Sequence, residues 1–355
     1  MRRLPVSALA LVTACSLAGC GLLPGSSDLD EALEVMPADA TTVTYVGRAA
    51  FAEREGVDDV VTGADDEELE RYLEAATTAA FTRLTPHLRT MQEAAFTDLD
   101  VEWEVVASGA DDGPWTAWKI NDDLDLDDVG DDLVDAGYEE SEMGGERAFT
   151  ADLGSADPNT QLVGGRYPVA VMNQVVLVPD EHLILTGADP ETLLDVVTDD
   201  EDSLVDAQDF ETVVGAVDDP EFAHLQRDLD CAAALGGATG GDDSGQAESM
   251  TSEAGLEDLQ RPEATAFLVH GDDAETTTVL AFDDADTAEA DASAREAWLE
   301  DGGMLLRTQQ PIDDIADWSV EADDSLVRID HAFDDGVDMA ARAALAGDGF
   351  TLCAP

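Results

Sequence analysis

The chain has 355 residues and carries 82 acidic side chains against 16 basic ones, which gives a formal net charge of −66 at pH 7. This excess of negative charge excludes nucleic acid as a partner, because phosphate backbones are bound through Lys and Arg side chains. It also excludes electrostatic docking onto an anionic lipid surface. Since 44% of the residues are apolar and occur in periodic segments, the chain can still bury sizeable cores.

The acidic composition also indicates the solvent for which the protein is built. A compact chain of this charge destabilises itself by repulsion in dilute solution. In molar salt the Debye length falls to about 3 Å, so repulsion between distant carboxylates is screened. We therefore expect a halophilic or salt-tolerant protein whose carboxylates bind cations nonspecifically. An acidic bias in a GC-rich genome is the alternative interpretation.

Residues 1–19 have the three parts of an export signal. Arg2 and Arg3 give a cationic start, residues 8–14 form a short apolar run, and small residues lead into Cys20. The apolar run is shorter than the roughly 20 residues that cross a bilayer. The sequence therefore predicts a cleaved signal peptide over residues 1–19 and not a membrane-spanning helix.

The last residues of this leader, Leu17-Ala18-Gly19-Cys20, resemble the lipobox of prokaryotic lipoproteins. The resemblance implies that Cys20 becomes the mature N-terminus and carries a diacylglycerol, whose two acyl chains are enough for stable anchoring. We expect a protein that is lipid-anchored at the extracytoplasmic face of the cell membrane by a tether over residues 20–28. A plain secretory signal with a chance cysteine is the alternative, and the export route, Sec or twin-arginine, stays open.

The remaining cysteines predict a disulfide. Cys15 leaves with the leader and Cys20 is taken by the lipid, so Cys231 and Cys353 are left as a pair in an oxidising compartment. A bond that closes a loop of more than 100 residues stabilises the fold by roughly 5 kcal/mol in the chain-entropy model. Two buried free thiols are the alternative.

The first predicted elements are a short amphipathic helix, a β-branched strand and a long helix. In the strand, alternation separates Val43 and Tyr45 from Thr42, Thr44 and Val46. Asp65 or Asp66 caps the long helix, which Pro86 should kink. Their ranges are 28–35, 41–46 and 67–96.

Strands and shorter helices alternate through the middle of the chain. A run of aspartates leads into a helix that Asp127 or Asp128 caps and that ends at Gly137. The predicted strands are residues 103–108, 115–120, 138–142, 146–151, 168–172, 175–178 and 182–186; the helices that follow are residues 190–197, 207–217 and 221–234.

Residues 236–262 are rich in Gly, Ser and acidic side chains and predict a disordered linker. Beyond it we expect a hairpin and a helix over residues 286–300 with Ala290, Ala294, Ala297 and Trp298 facing inward. Two strands and a last helix follow. The hairpin strands are residues 264–270 and 276–282, and the last elements are residues 318–321, 326–332 and 337–345.

The order strand, helix, strand occurs twice, over residues 115–151 and again over residues 276–333. This repeat predicts an α+β fold with two related halves, each a mainly antiparallel sheet backed by helices. The halves correspond to a first region over residues 29–235 and a second region over residues 263–355. The flexible acidic linker joins them.

No motif in the chain predicts catalysis or a cofactor. The spacing of Asp123, Asp125 and Asp127 is that of a calcium loop, but Asp128 and Val134 occupy the positions that need Gly and Glu. Three tryptophans, Trp103, Trp115 and Trp118, could form a platform for a sugar or lipid, although packing in a sheet core is the preferred interpretation. His331 is in phase with Val327 and Ile329, which predicts a buried structural histidine.

We therefore expect a non-enzymatic protein that binds or interacts at the cell envelope, with an envelope protein as one conceivable partner. Residues 183–217, and Pro37 to Ala40 before the first strand, are similar to secreted prokaryotic proteins of unknown function, and this resemblance brings no catalytic residues. A solute-binding lipoprotein of a transport system is the first alternative. An envelope hydrolase is the second.

Overall fold

The computed structural model describes residues 27–110, 113–152, 154, 161–206, 208–215, 220–231, 255–270, 275–305, 309–333, 337–345 and 349–353. The predicted signal peptide, Cys20 and most of the predicted tether lie outside these ranges, as does the predicted linker up to residue 254. The described residues form an α+β fold, as the sequence predicts.

One antiparallel sheet of twelve strands runs through the molecule, in the order β15-β16-β12-β11-β10-β1-β2-β3-β9-β8-β5-β4. Two short hairpins, β6–β7 and β13–β14, stand apart from it. The strands are β1 Thr42–Val46, β2 Val101–Ser108, β3 Trp115–Ile120, β4 Tyr138–Met143, β5 Glu146–Ala151, β6 Leu162–Val163, β7 Tyr167–Pro168, β8 Gln174–Val178, β9 Leu183–Gly187, β10 Phe222–Arg227, β11 Ala264–Val269, β12 Glu275–Ala281, β13 Met304–Leu305, β14 Gln310–Pro311, β15 Ala316–Asp323 and β16 Leu326–Phe333.

Helices cover both faces of the sheet. The first face packs against α1, α5 and α6 in one apolar cluster, and the second face packs against α4, α7 and α8. Two more helices, α2 and α3, form a cluster of their own beside β2. The helices are α1 Asp28–Glu34, α2 Arg48–Glu55, α3 Asp66–Ala75, α4 Leu126–Ala136, α5 Pro190–Val197, α6 Gln208–Val214, α7 Ala285–Glu300 and α8 Val337–Leu345.

The alternation predicted for β1 is confirmed. Val43 and Tyr45 are buried in the cluster on the first face. Val46 joins a cluster on the second face, and Thr44 is half-buried on that same side. Because successive side chains of a strand point to opposite faces, β1 contributes an apolar row to one face and a partly polar row to the other.

The two halves share one order of elements. With α2 and α3 left out, the first reads α1-β1-β2-β3-α4-β4-β5; with the β13–β14 hairpin left out, the second reads α6-β10-β11-β12-α7-β15-β16. In each half the helix after the third strand leads to the outermost strand of the sheet; in the first half β8 and β9 lie between β5 and β3. The halves join where β1 pairs antiparallel with β10, with Thr44 opposite His224. The repeat thus divides after α5, so α6 and β10, which the sequence places in the first region, begin the second half.

Three predicted elements are wrong. The long helix over residues 67–96 ends at Ala75, where the backbone turns extended at Ala76, and 3₁₀ turns at Thr78–Ala80 and Thr85–Thr90 follow. The predicted helix over residues 221–234 is strand β10, because β1 and β11 pair with its two edges. Of the predicted strand over residues 168–172, only Pro168 is extended, in β7. The cap of α4 is Asp125, two residues before the predicted one.

Helix α7 buries a charged pair where the sequence predicts alanines. Asp291 and Arg295 are both 0% exposed, whereas Ala290 and Ala297 are exposed. Arg295 Nε donates to Asp291 Oδ2 at 2.6 Å, and its two terminal nitrogens donate to the carbonyl oxygens of Phe350 and Leu352 at 2.9 and 2.8 Å. The buried charges are therefore neutralised in place, and the pair holds the C-terminal segment against α7.

The predicted disulfide between Cys231 and Cys353 is present, with the two Cα atoms 5.4 Å apart. Both cysteines are buried, in a small cluster with Leu229. The bond lies directly beyond the carbonyl groups that Arg295 holds. Leu256 and Leu259, in the last part of the predicted linker, are buried in the cluster under α7 and α8, so the described chain is packed again from this point.

Candidate functional site

Buried ionisable groups form a network between β2 and the segment that carries α2 and α3. Asp98 is 0% exposed. It accepts hydrogen bonds from the Tyr72 hydroxyl at 2.9 Å, from Thr85 Oγ1 at 3.1 Å and from Thr82 Oγ1. Burial raises the pKa of Asp98, and the nearby charge of Arg48 and these hydroxyl groups act against the rise. The carboxyl group is thus enclosed by donors.

Arg48 completes this part of the network from the first turn of α2. Its Nε donates to the Tyr72 hydroxyl at 3.3 Å, and its guanidinium lies 5.2 Å from the centre of the Tyr72 ring. Burial also raises the pKa of Tyr72, so this phenol stays protonated and donates to Asp98. The result is a chain of contacts from α2 through α3 to the turn before β2.

Glu104 is the second buried carboxyl group, on β2. Its oxygens accept the backbone N–H of Arg83 at 3.0 and 2.9 Å, and Oε2 also accepts the indole N–H of Trp118 at 2.6 Å. Burial raises the pKa of Glu104 to about 7, although these donors act in the opposite direction. The Arg83 side chain reaches past it and donates to Thr116 Oγ1 at 2.8 Å. Glu104 therefore fastens the chain at Arg83 to the second face of the sheet.

Two histidines are buried on the second face of the sheet near Phe267. His331 is 3% exposed, stacks on Phe350 with ring centres 4.1 Å apart, and contacts Thr276 and Thr278 through its two ring nitrogens. Burial lowers the pKa of His331 to about 3. This confirms the structural role predicted for His331. The small apolar recess beside it is lined by Phe267, Phe350 and the alanines of α8.

The other histidine, His224, belongs to the central part of the sheet. It is 6% exposed; Nδ1 lies 3.0 Å from Thr44 Oγ1, and Nε2 has no hydrogen-bond partner. Burial lowers its pKa to about 4, so the ring is neutral near pH 7. Around it lie side chains of β10, β1 and β2 that share the second face and that we call the central floor: Thr42, Thr44, Val106, Ser108, His224 and Gln226.

The residues singled out by the sequence do not come together in one site. Cys20 lies outside the described residues, and the disulfide is separate from the buried carboxyl groups. Trp103, Trp115 and Trp118 are each at most 2% exposed, which confirms packing and not a surface platform. Asp125 caps α4, and Asp127 contacts Arg147 at 3.5 Å. Among the residues that the structure describes, no three His, Cys, Asp or Glu side chains are grouped to hold a metal ion.

Sequence reasoning missed the buried carboxyl groups and the central floor. Glu104 alternates with apolar residues in β2, a pattern that resembles the solvent side of a strand. Its burial depends on the chain at Arg83, which lies far from it in sequence. His224 was missed because the sequence predicts a helix where β10 lies. The one local signal was the row of threonines in β1, which are polar residues on a strand that lies mid-sheet.

Within the described ranges, no helix combines the length and the apolar character needed to cross a bilayer.

Comparison with known proteins gives little. No protein-family model matches the chain, and no curated protein matches it. Among solved structures, crystal form I of TP0453 aligns with 91% of this chain and 99% of its own, at 11% identity and a TM-score of 0.40. Crystal form IV of TP0453 aligns with 90% of this chain and 97% of its own, at 9% identity and a TM-score of 0.41. A likeness at this level carries no conclusion about function.

Proposed function

We propose that the chain is a lipid-anchored, extracytoplasmic protein that binds a partner or ligand at the cell envelope and catalyses no reaction. The observation that carries the non-enzymatic part is the enclosure of Asp98 and Glu104. Both carboxyl groups are at most 2% exposed, and hydroxyl, indole and backbone donors engage their oxygens. A general acid or base must reach a substrate proton, and these groups instead bind one segment of the chain to another.

The anchor part of the proposal is supported by the resemblance of residues 17–20 to a lipobox and by the place where the folded body begins. Ser27 caps α1: its Oγ accepts the Asp30 N–H at 3.1 Å, and the Asp30 carboxylate accepts the Ser27 N–H at 3.1 Å. Residues 21–26 separate this cap from Cys20, and six extended residues span at most about 20 Å. An acyl-modified Cys20 would therefore hold the sheet close to the membrane surface.

The anchor is tested by comparing Cys20→Ala with Cys15→Ala. We expect Cys20→Ala to leave the membrane fraction and wild type to stay there after an alkaline wash, because nothing in so acidic a chain is attracted to anionic lipid. Cys15→Ala, which changes a cysteine inside the predicted signal peptide, should fractionate as wild type does. Retention of Cys20→Ala on washed membranes would refute the anchor.

A further inference from the structure

We propose that the central floor is a binding site for a small, uncharged polyhydroxy compound, such as a sugar or a polyol. The site lies on the second face of the sheet, where the two halves of the fold meet. This proposal rests on the binding role proposed above and names the class of ligand that would fill it.

The register of three neighbouring strands gives the floor its shape. One row across the sheet is Gln226–Thr42–Ser108, and the next is His224–Thr44–Val106. Two inter-strand spacings and two residues along a strand make this area about 10 Å by about 7 Å. All of its side chains except His224 are half-buried, in a sheet whose neighbouring strands are mostly covered. The area is wide enough for one sugar ring and partly open to solvent.

A segment of the chain forms a wall along one side of the floor. Ala79 packs in the cluster that contains Val46 and Phe222, and the backbone of Arg83 is bonded to Glu104. Residues 79–83 therefore cross from β10 to β2 along the row next to the floor. At the β3 end, the Arg83 side chain bonds Thr116, which extends the row of polar groups.

The chemistry of the floor favours an uncharged ligand. Its polar groups are hydroxyls, one amide and one neutral imidazole, in a chain with 82 carboxylates. A cation would find stronger partners elsewhere on this surface, and an anion would be opposed by the net charge. A ligand hydroxyl both donates and accepts, so it pairs with hydroxyl, amide or imidazole in any tautomer. Within the described residues no hydrogen bond engages the side chains of Thr42, Ser108 and Gln226.

His224 supplies the independent sign that a ligand group belongs here. Its Nε2 is buried and has no partner. A buried polar atom without a hydrogen bond costs about 1–3 kcal/mol, and native proteins seldom tolerate one without a purpose. Thr44, half-buried beside the ring, engages the other nitrogen, Nδ1. A ligand hydroxyl bonded to Nε2 would therefore satisfy the orphaned nitrogen while the contact between Thr44 and Nδ1 stays in place.

The test follows the ring nitrogens of the histidines by NMR, in the full-length chain labelled with ¹⁵N-histidine and held in a detergent without a sugar headgroup. Glucose, maltose and glycerol are the probes, with citrate and tetramethylammonium as charged comparisons. We expect at least one neutral probe to shift the His224 signals in a saturable way. His331 is the internal control, because threonine hydroxyls already face both of its ring nitrogens, and its signals should stay still.

Two variants separate binding from folding. Thr44→Val should weaken the response of His224 roughly tenfold, the loss of one hydrogen bond, and Val106→Trp should abolish it by filling a half-exposed position. Both should keep the circular dichroism of wild type and the His331 signals. No shift with any neutral probe, a parallel shift of His331, or a response to the charged compounds alone would each overturn the proposal. None of these results depends on Cys20, so the anchor and the ligand site can fail separately.

Discussion

Glu104 shows how one side chain can make the stability of this fold depend on pH. Burial raises its pKa to about 7 from the ordinary value of 4.5, because desolvation outweighs the Arg83 and Trp118 donors. The folded state therefore binds the proton more tightly than the unfolded chain does. The stability that Glu104 contributes is fully present below pH 4.5 and is lost as pH rises through 7.

We expect Glu104→Gln to become more stable relative to wild type as pH rises. A glutamine whose carbonyl oxygen takes the place of Oε2 keeps the bonds that Arg83 and Trp118 donate to that atom, loses the one to Oε1, and carries no charge. Relative to wild type, its free energy of unfolding should rise by up to roughly 3 kcal/mol from pH 4.5 to pH 8. Urea unfolding at a series of pH values in molar KCl measures this difference. A constant difference between the two proteins across that range would contradict the raised pKa.

Breaking the Asp291–Arg295 pair should cost more stability than breaking an exposed ion pair does, because both charges are buried. Arg295→Met would leave the Asp291 carboxylate buried without its cation and would free the carbonyl groups of Phe350 and Leu352. We expect a loss of about 3–5 kcal/mol in the free energy of unfolding. Adding Asp291→Asn should recover part of it, since the stranded charge is removed.

Arg71, which bonds Asp59 at 2.6 Å on the surface, is the matched control for this pair. The two side chains are 46% and 65% exposed, so Arg71→Met should change the free energy of unfolding by less than about 1 kcal/mol. Chemical denaturation of the variants gives all the values. Equal losses for Arg295→Met and Arg71→Met would show that burial does not set the cost.

At the scale of elements, local signals predict what local forces decide. Helices α1, α4 and α5 are predicted from the local sequence, as are the strands of the β4–β5 hairpin and strands β15 and β16. Strand β10 is different, because its residues also suit a helical pattern. Only pairing with β1 and β11, which lie far away in sequence, makes them extended. The candidate site cannot be predicted from local sequence for the same reason, since the central floor exists only once β10 lies beside β1.

Two adjacent glycines between β6 and β7 have different reasons to be glycine. A Cβ on Gly164 would lie 2.7 Å from Ala136 Cα and 2.8 Å from its carbonyl oxygen, at the end of α4. A Cβ on Gly165 would meet nothing within 4 Å. Both residues have positive φ, 58° and 76°, so both substitutions strain the backbone but only the first also causes a clash.

Gly164→Ala should therefore unfold at a lower denaturant concentration than Gly165→Ala. The overpacking at Gly164 should add about 1–3 kcal/mol to the backbone strain that the two share. Paired urea titrations of the two variants and wild type measure the difference. If the variants lose the same stability, the β6–β7 hairpin does not press on α4 as the structure indicates.

For the whole molecule, the net negative charge acts on stability through many distant pairs of carboxylates and not through any single contact. The two edge strands also expose negative charge. Glu139, Glu140 and Glu142 on β4, and Asp317 and Glu321 on β15, are exposed at the two ends of the sheet. Like charges on an open edge discourage pairing between copies. The α+β class and the repeat were predictable from pattern, whereas the single continuous sheet was not, because the β1–β10 pairing leaves no local trace.

We expect the fold to depend on salt. The midpoint of thermal unfolding, followed by circular dichroism, should rise steadily from low salt to molar KCl as repulsion is screened. Sucrose is the control, since it favours the compact state through exclusion and without screening. If the midpoint rises no more in molar KCl than it does in sucrose, screening of charge does not stabilise the fold, and adaptation to salt is refuted.

The pairing of β1 with β10 has a consequence for the symmetry of the chain. Each is the first strand of its half, and the two lie antiparallel over five matched positions. A half on its own would leave that strand as an uncovered edge, and the same edge on a second copy would complete it in the same geometry. The present chain thus has, within one polypeptide, the strand arrangement that a symmetric dimer of such halves would have. The hairpin β8–β9 breaks this symmetry, because it lies in the first half only.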